Sequence, residues 1–138
     1  MRKIFVFLCL LLMVPFSHAS AEASGNTVCP KTQLLQEPSN QDKEELNAAL
    51  SHYLISKVYG RNPKYLDYRL EVITPMKELK GTDKSYYYMA IQNCGREVAN
   101  RSWFVRLRFP KMHNAASFGE IFVVKDQTNQ WSVWFRYH

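Results

Sequence analysis

The sequence contains little cysteine and glycine and lacks the compact motifs that mark many enzymes and metal sites. Its 138 residues include three cysteines and five glycines. There is no Cys-x-x-Cys pair, no histidine or cysteine at metal-ligand spacing, no Gly-x-Ser-x-Gly and no glycine-rich phosphate loop. We therefore expect no metal and no cofactor, and we assign no catalytic residues. The length allows a single domain, and the missing motifs favour a non-enzymatic protein.

Long hydrophobic runs are absent except at the N-terminus. That run extends from Ile4 to Phe16, follows two basic residues and precedes the small-residue sequence Ala19-Ser20-Ala21. A membrane-spanning helix needs roughly 17–25 residues, so the run is too short. It predicts a secretory signal peptide over residues 1–21, cut after Ala21 or Ala23, with an uncleaved anchor as the alternative. We expect an exported protein (secreted, periplasmic or in the cell envelope) with no stable membrane insertion after cleavage.

The charge excess is small. The chain has 18 lysines and arginines against 12 aspartates and glutamates, a formal net charge of +6. Loss of Arg2 and Lys3 with the signal peptide reduces the basic count by two and the net charge to +4. An exported chain with so mild an excess is not expected to bind nucleic acid. The partners that we expect are a protein or an anionic envelope component.

Two cysteines remain after the signal peptide, which contains Cys9, is removed. They are Cys29 and Cys94. An even number of cysteines in an exported chain predicts a disulfide between them, because such compartments are oxidising. The alternative is a pair of reactive thiols.

The rest of the chain divides into an arm and a domain. Residues 22–39 are rich in serine and proline and predict an extended arm, and residues 40–138 predict a single domain. A helix begins this domain, because apolar residues recur at steps of three and four: Leu46, Ala49, Leu50, Tyr53, Leu54 and Val58. Gly60 and Pro63 are placed to end it.

Alternating apolar and polar residues follow the helix. They predict strands over residues 66–72, 103–109, 118–125 and 131–138, and the strand-forming residues of 86–91 add another. Short connections between consecutive strands indicate antiparallel pairing. The fold class that we predict is α+β, with one N-terminal helix packed on a curved antiparallel sheet of four to five strands.

This layout resembles the cystatin-like and nuclear-transport-factor-like α+β folds over about residues 40–138. The cystatin motif Gln-x-Val-x-Gly is not matched by Gln92-Asn93-Cys94-Gly95, so inhibition in that mode is not expected. The second resemblance implies a pocket at the open end of the sheet. The chain is also similar to small exported bacterial domains of unknown function at Val58-Tyr59-Gly60, His113-Asn114 and Trp134-Phe135-Arg136-Tyr137-His138.

One set of residues predicts a binding surface. Arginine suits carboxylates and phosphates, and tryptophan suits a sugar or a peptide. Both types lie on the less apolar phase of two strands, in the set Phe104, Arg106, Arg108, Trp134 and Arg136. The alternative is a solvated sheet face on which the arginines pair with Asp67, Glu71 or Glu120. Trp103, Trp131 and Phe135 lie on the apolar phase and predict core positions.

These observations favour an exported, non-enzymatic binding domain that uses a sheet face or the open end of the sheet. One alternative is a small pocket enzyme that uses an acid with a tyrosine or a histidine. The other is an inhibitor or immunity-type partner of a secreted hydrolase.

Overall fold

The computed structural model describes residues 27–138, and the predicted signal peptide and its cleavage site lie outside this range. The fold is α+β, with a four-stranded antiparallel sheet and helices. No helix among the described residues is both long and apolar enough to cross a bilayer.

The predicted helix is confirmed. Helix α1 (Asp42–Ala49) leads through a π-helical turn (Leu50–Leu54) into α2 (Ile55–Tyr59), and a short α3 (Pro63–Leu66) follows. The first turn of α1 is acidic, which suits the positive end of the helix dipole. The backbone N–H and the hydroxyl of Ser39 both donate to the Asp42 carboxylate at 2.8 Å. Gly60 adopts a φ of 85° after the last turn, a conformation that favours glycine.

The sheet contains β1 (Arg69–Pro75), β2 (Ser102–Arg108), β3 (Phe118–Lys125) and β4 (Trp131–Arg136). They are hydrogen-bonded in the order β1-β2-β3-β4, and every neighbouring pair is antiparallel. Four of the predicted strands are therefore confirmed, although β1 lies closer to Pro75 than the prediction placed it.

The strand predicted over residues 86–91 is wrong, because this segment belongs to helix α4 (Lys84–Asn100). Its buried residues Ala90 and Ala99 pack in one cluster with Phe104 and Phe122 of the sheet. The tyrosines and isoleucine of this segment favour strands locally, but an apolar sheet face that needs cover overrides that preference. The expectation of one N-terminal helix is therefore also wrong, in number and in position, because helices lie in the middle of the chain. Helix α4 bends at Gly95, where φ is 85°.

The sheet has a hydrophobic core on each face. The first core lies against α1, the π-helical turn and α2, and its buried members include Leu46, Leu50, Leu54, Trp103, Val105, Leu107, Phe109, Ile121, Val123 and Trp131. The second lies against α4 and includes Met76, Leu79, Ala90, Ala99, Phe104 and Phe122. Burial on both sides supplies most of the favourable free energy of folding, and leaves the ends and edges of the sheet for contacts with other molecules.

The predicted disulfide is confirmed. Cys29 and Cys94 are bonded, with their Cα atoms 5.4 Å apart, and the bond joins the arm to α4. The arm also pairs with the turn between β3 and β4 through a bridge of Leu35 with Asp126. A disulfide fits an oxidising compartment, which agrees with the predicted export.

Candidate functional site

The five residues predicted to share a surface do not share one. Phe104 is fully buried, and its ring stacks on Tyr86 with 4.6 Å between the ring centroids. Trp134 is half-buried beside Phe122, and its indole Nε1 donates to the hydroxyl of Ser102 at 3.0 Å. Both aromatic residues therefore belong to the α4 side of the molecule and present little surface to a ligand.

A bulge in β4 separates Arg136 from the other arginines. Phe122 is opposite Phe135 and Val123 is opposite Val133, so Trp134 is the extra residue. Beyond it the phase of the strand is reversed, which places Arg136 opposite Ile121 on the α2 side. The same reversal half-buries Phe135 in the second core instead of the first. A prediction from uninterrupted alternation of apolar and polar residues along β4 cannot include this shift.

Arg106 links the start of α4 to the sheet through an ion pair with Asp83. Its Nη2 lies 2.7 Å from Oδ1 of Asp83, its Nη1 lies 3.2 Å from Oδ2, and its Nε lies 3.5 Å from Oε1 of Glu120. The hydrogen bonds that Arg106 donates to Asp83 raise the pKa of Arg106 above its ordinary value, although burial acts in the opposite direction. Because Asp83 and Glu120 both contact this guanidinium, its charge is paired within the protein.

Arg108 is occupied in a similar way. Its Nε lies 2.9 Å from Oε1 of Glu71, and its guanidinium carbon lies 3.6 Å from the centre of the Phe118 ring. The pairs of Arg108 with Glu71 and Arg106 with Glu120 are the ones that the alternative interpretation, a face with paired arginines, predicted.

Arg136 differs from both, because it has no acidic partner within the described part of the chain. It is exposed, its Nη1 donates to the carbonyl oxygen of Val58 at 3.0 Å, and its guanidinium lies 5.4 Å from the centre of the Tyr59 ring. A guanidinium carries five N–H donors, so several remain for a ligand.

A pocket of about 200 Å³ opens beside Arg136. It is lined by Tyr59, Tyr65, Ala115, Ala116, Phe118, Arg136 and His138. The Tyr59 and Tyr65 rings pack 5.4 Å apart, and both contact Phe109 beneath them, so the aromatic wall is fixed from behind. The pocket therefore combines an apolar wall with a cationic mouth.

Two hydrogen bonds hold His138 at this mouth. Its Nδ1 lies 2.7 Å from Oε2 of Glu120, a carboxylate that is only 5 % exposed. Its main-chain oxygen accepts a hydrogen bond from the Tyr59 hydroxyl at 2.8 Å. Burial raises the pKa of Tyr59, so the phenol stays protonated and remains a donor. Sequence spacing does not reveal this group, since Glu120 and His138 are 18 residues apart, with Glu120 on β3 and His138 beyond the end of β4.

Further basic residues lie in the strand ends and connections at this end of the sheet, where β1 and β3 begin and where β2 and β4 end. We call this region the basic end and define it as Arg61, Lys64, Arg69, Arg108, Lys111 and Arg136. Lys111 pairs with Asp67 at 3.0 Å, whereas Arg61, Lys64 and Arg69 are exposed and form no ion pair with any described residue. The unpaired charges give this end a positive potential.

Metal binding has no support in the side-chain arrangement. Within residues 27–138, no group of three or more histidine, cysteine, aspartate or glutamate side chains is placed to hold a metal ion.

Comparison with known proteins gives no match: no family profile, no curated protein and no solved structure is significantly similar to this chain. The geometry of the basic end is therefore the basis for a functional proposal.

Proposed function

We propose that the protein is an exported, non-enzymatic binding domain whose ligand places an anionic group at Arg136 and an apolar group in the adjoining pocket. Arg136 carries this proposal, because it is the exposed guanidinium that lines the pocket and it forms no ion pair with a carboxylate of the described residues. Charge-assisted hydrogen bonds from arginine to a carboxylate or a phosphate are among the stronger polar contacts in proteins.

The surrounding charges support the same ligand class. Arg61, Lys64 and Arg69 of the basic end are exposed and form no ion pair with a described residue, so an approaching anion is attracted before it makes contact. An acidic protein surface and an anionic envelope component both offer such groups. Export to the compartment where these partners occur is part of the proposal, and the disulfide supports it.

A relationship to the nuclear-transport-factor-like or cystatin-like folds, with a curved sheet around an N-terminal helix, also remains a proposal. Its support is that a helix precedes an antiparallel sheet, packs on one face of it and ends beside a pocket at the end of the sheet.

Titration of the isotope-labelled protein with benzoate and phenyl phosphate, followed by amide chemical shifts, tests the binding function. We expect shifts centred on Ala115, Ala116 and Phe118, and weaker or no shifts with neutral benzyl alcohol. Arg136→Gln should weaken anion binding about tenfold or more, because it removes charge-assisted hydrogen bonds. Arg96→Gln, which changes an exposed arginine on α4, is the matched control. Equal binding to Arg136→Gln and to the parent protein would contradict the proposal.

One observation favours a second candidate function, a small pocket enzyme. Glu120 orients the His138 ring through Nδ1, and His138 lines the pocket, so its second ring nitrogen could act as a general base. Turnover of nitrophenyl acetate or nitrophenyl phosphate that is lost in both His138→Gln and Glu120→Gln would support the enzyme. No turnover above the uncatalysed rate would exclude it for these substrates and leave binding as the function.

A further inference from the structure

Strand β1 forms one side of the sheet and is paired on one edge only. It hydrogen-bonds to β2, and no other described strand or loop pairs with its backbone. Exposed sheet edges carry unpaired N–H and C=O groups, which accept an added strand unless something covers them.

Part of this edge is regular enough for an added strand. A bulge at Glu71 interrupts the pairing between Leu70 and Val72, and Pro75 ends the strand. Between these two points, residues 72–74 stay in register with β2. A bulge and a proline limit the length of any added strand without closing the edge, so the partner is expected to pair over about three residues.

A cleft of about 660 Å³ lies beside this regular stretch. Val72, Thr74 and Leu79 supply its less polar lining. This cleft is separate from the pocket at Arg136, since the two share no lining residue. It offers space for side chains of a segment that adds to β1, because alternate side chains of a strand point to the same side.

The charge around the cleft selects the type of segment. Lys77, Lys80 and Lys84 line it, together with Glu78 and Asp83. Both carboxylate oxygens of Asp83 are bonded to Arg106, so that charge is neutralised within the protein. A positive excess therefore remains at the rim and favours an acidic partner.

Two of the lysines have no carboxylate partner within the described chain. Lys80 forms no ion pair, and Lys84 lies 5.8 Å from the centre of the Tyr88 ring. Lys77 has only a long contact to Glu37, at 3.9 Å. A second copy of this chain would bring the same positive rim to the edge, and the repulsion disfavours self-pairing.

We propose that the outer edge of β1 and the cleft beside it receive an extended acidic segment of a partner protein as an added strand. The backbone of the segment pairs with residues 72–74, and its acidic side chains, on alternate positions, meet Lys77, Lys80 and Lys84.

Fluorescence anisotropy with a labelled peptide of alternating glutamate and threonine, seven residues long, tests this proposal with the purified protein. We expect binding at low salt, loss of binding as salt rises, and no binding of the lysine–threonine counterpart. Lys80→Gln and Lys84→Gln should each weaken binding about threefold, as removal of a partly solvated charge pair does. Lys43→Gln, an exposed lysine of α1 outside the cleft, is the matched control and should bind normally.

Backbone pairing is tested by N-methylation of the peptide, which removes N–H donors and keeps the charge. On a strand, successive N–H groups point to opposite sides, so methylation at the odd and at the even positions removes two different sets of donors. We expect one set to weaken binding about tenfold and the other to leave it within about twofold. Equal effects of the two sets would overturn edge pairing. Absence of selective binding to the acidic peptide, or a dimer that the peptide dissociates, would overturn the proposed partner.

Discussion

Arg106 on β2 and Asp83 at the start of α4 form a bidentate ion pair beside the second core, with N–O distances of 2.7 and 3.2 Å. The pair lies where the helix meets the sheet, and the Tyr86 and Phe104 rings flank the guanidinium at 5.6 and 5.2 Å. It therefore fixes the position of the helix that covers the second face.

Replacement of Arg106 by lysine should destabilise the protein by about 1–2 kcal/mol, because one ammonium cannot reproduce two parallel hydrogen bonds in a partly buried site. Urea unfolding measures the effect. Arg108→Lys is the control, since its pair with Glu71 is more exposed, and it should cost less than about 1 kcal/mol. Equal losses of unfolding free energy in the two variants would show that the two parallel hydrogen bonds of Arg106 add no stability beyond that of a more exposed ion pair.

Removal of the disulfide should have the largest effect on stability. The bond closes a sequence separation of 65 residues, for which the chain-entropy relation gives about 4 kcal/mol. Urea unfolding of Cys29→Ala/Cys94→Ala should show this loss, and reduction of the parent protein should reproduce it. Titration with a thiol reagent gives a direct check: two free thiols in the unreduced protein would contradict the bond.

Gly119→Ala should disturb the wall of the pocket. A Cβ atom at this position would collide with the Tyr59 hydroxyl and lie 2.9 Å from Cε2 of Phe109, so the ring of Tyr59 must move. Overpacking of this kind costs about 1–3 kcal/mol. Tyr59→Phe removes the colliding oxygen, so the double variant should be more stable than the sum of the two single losses predicts. Strict additivity in thermal or urea unfolding would contradict this reasoning.

Acid should weaken the contact between α1 and β3. Burial alone would raise the pKa of Asp42, but hydrogen bonds from Lys125 and Ser39 outweigh it and hold the pKa below its ordinary value of 3.8. A depressed pKa in the folded state means that the stabilisation is complete well above pH 3.8 and is lost as the pH falls through and below that value. Asp42→Asn should therefore be less stable than the parent at pH 7, and the difference should shrink toward pH 2.

The stability of Asp42→Asn between pH 7 and pH 2 is compared with that of one further variant. The pKa of Asp126 is also lowered, by hydrogen bonds from the Thr128 side chain and the backbone of Gln130 and Thr128, so Asp126→Asn is measured in parallel. A difference between Asp42→Asn and the parent that stays constant from pH 7 to pH 2 would contradict the assignment.

The sequence predicts those features of this fold that depend on local pattern. The helix over Leu46 to Val58 and the strands around Phe109 and Lys125 follow from periodicity, and the disulfide follows from the even number of cysteines left after the predicted signal peptide. The segment at Tyr86 was misassigned because its residues fit a strand locally, whereas the need to cover Phe104 is a property of the whole sheet.

The candidate site was predicted only in part. The residues predicted to bind a ligand include Arg136. The bulge at Trp134 moves Arg136 to the other face of the sheet, and the alternation of apolar and polar residues does not indicate this bulge. The contacts of His138 with Glu120 and Tyr59 join positions 18 and 79 residues apart, and only the folded sheet brings them together.

The π-helical turn between α1 and α2 determines the direction in which Tyr59 points. Such a turn accommodates one residue more than an α-helical turn, with a smaller rotation for each residue, so the helix beyond it keeps its phase relative to the helix before it. Leu46 and Leu50 lie before or within the turn, and both stay against the sheet. If residues 50–54 wound as a regular α-helix with no residue removed, the last turn would rotate by about 100° around the helix axis, so the phenol of Tyr59 would leave His138 and the pocket would lose one wall. The π-helical turn thus aligns the pocket with the sheet.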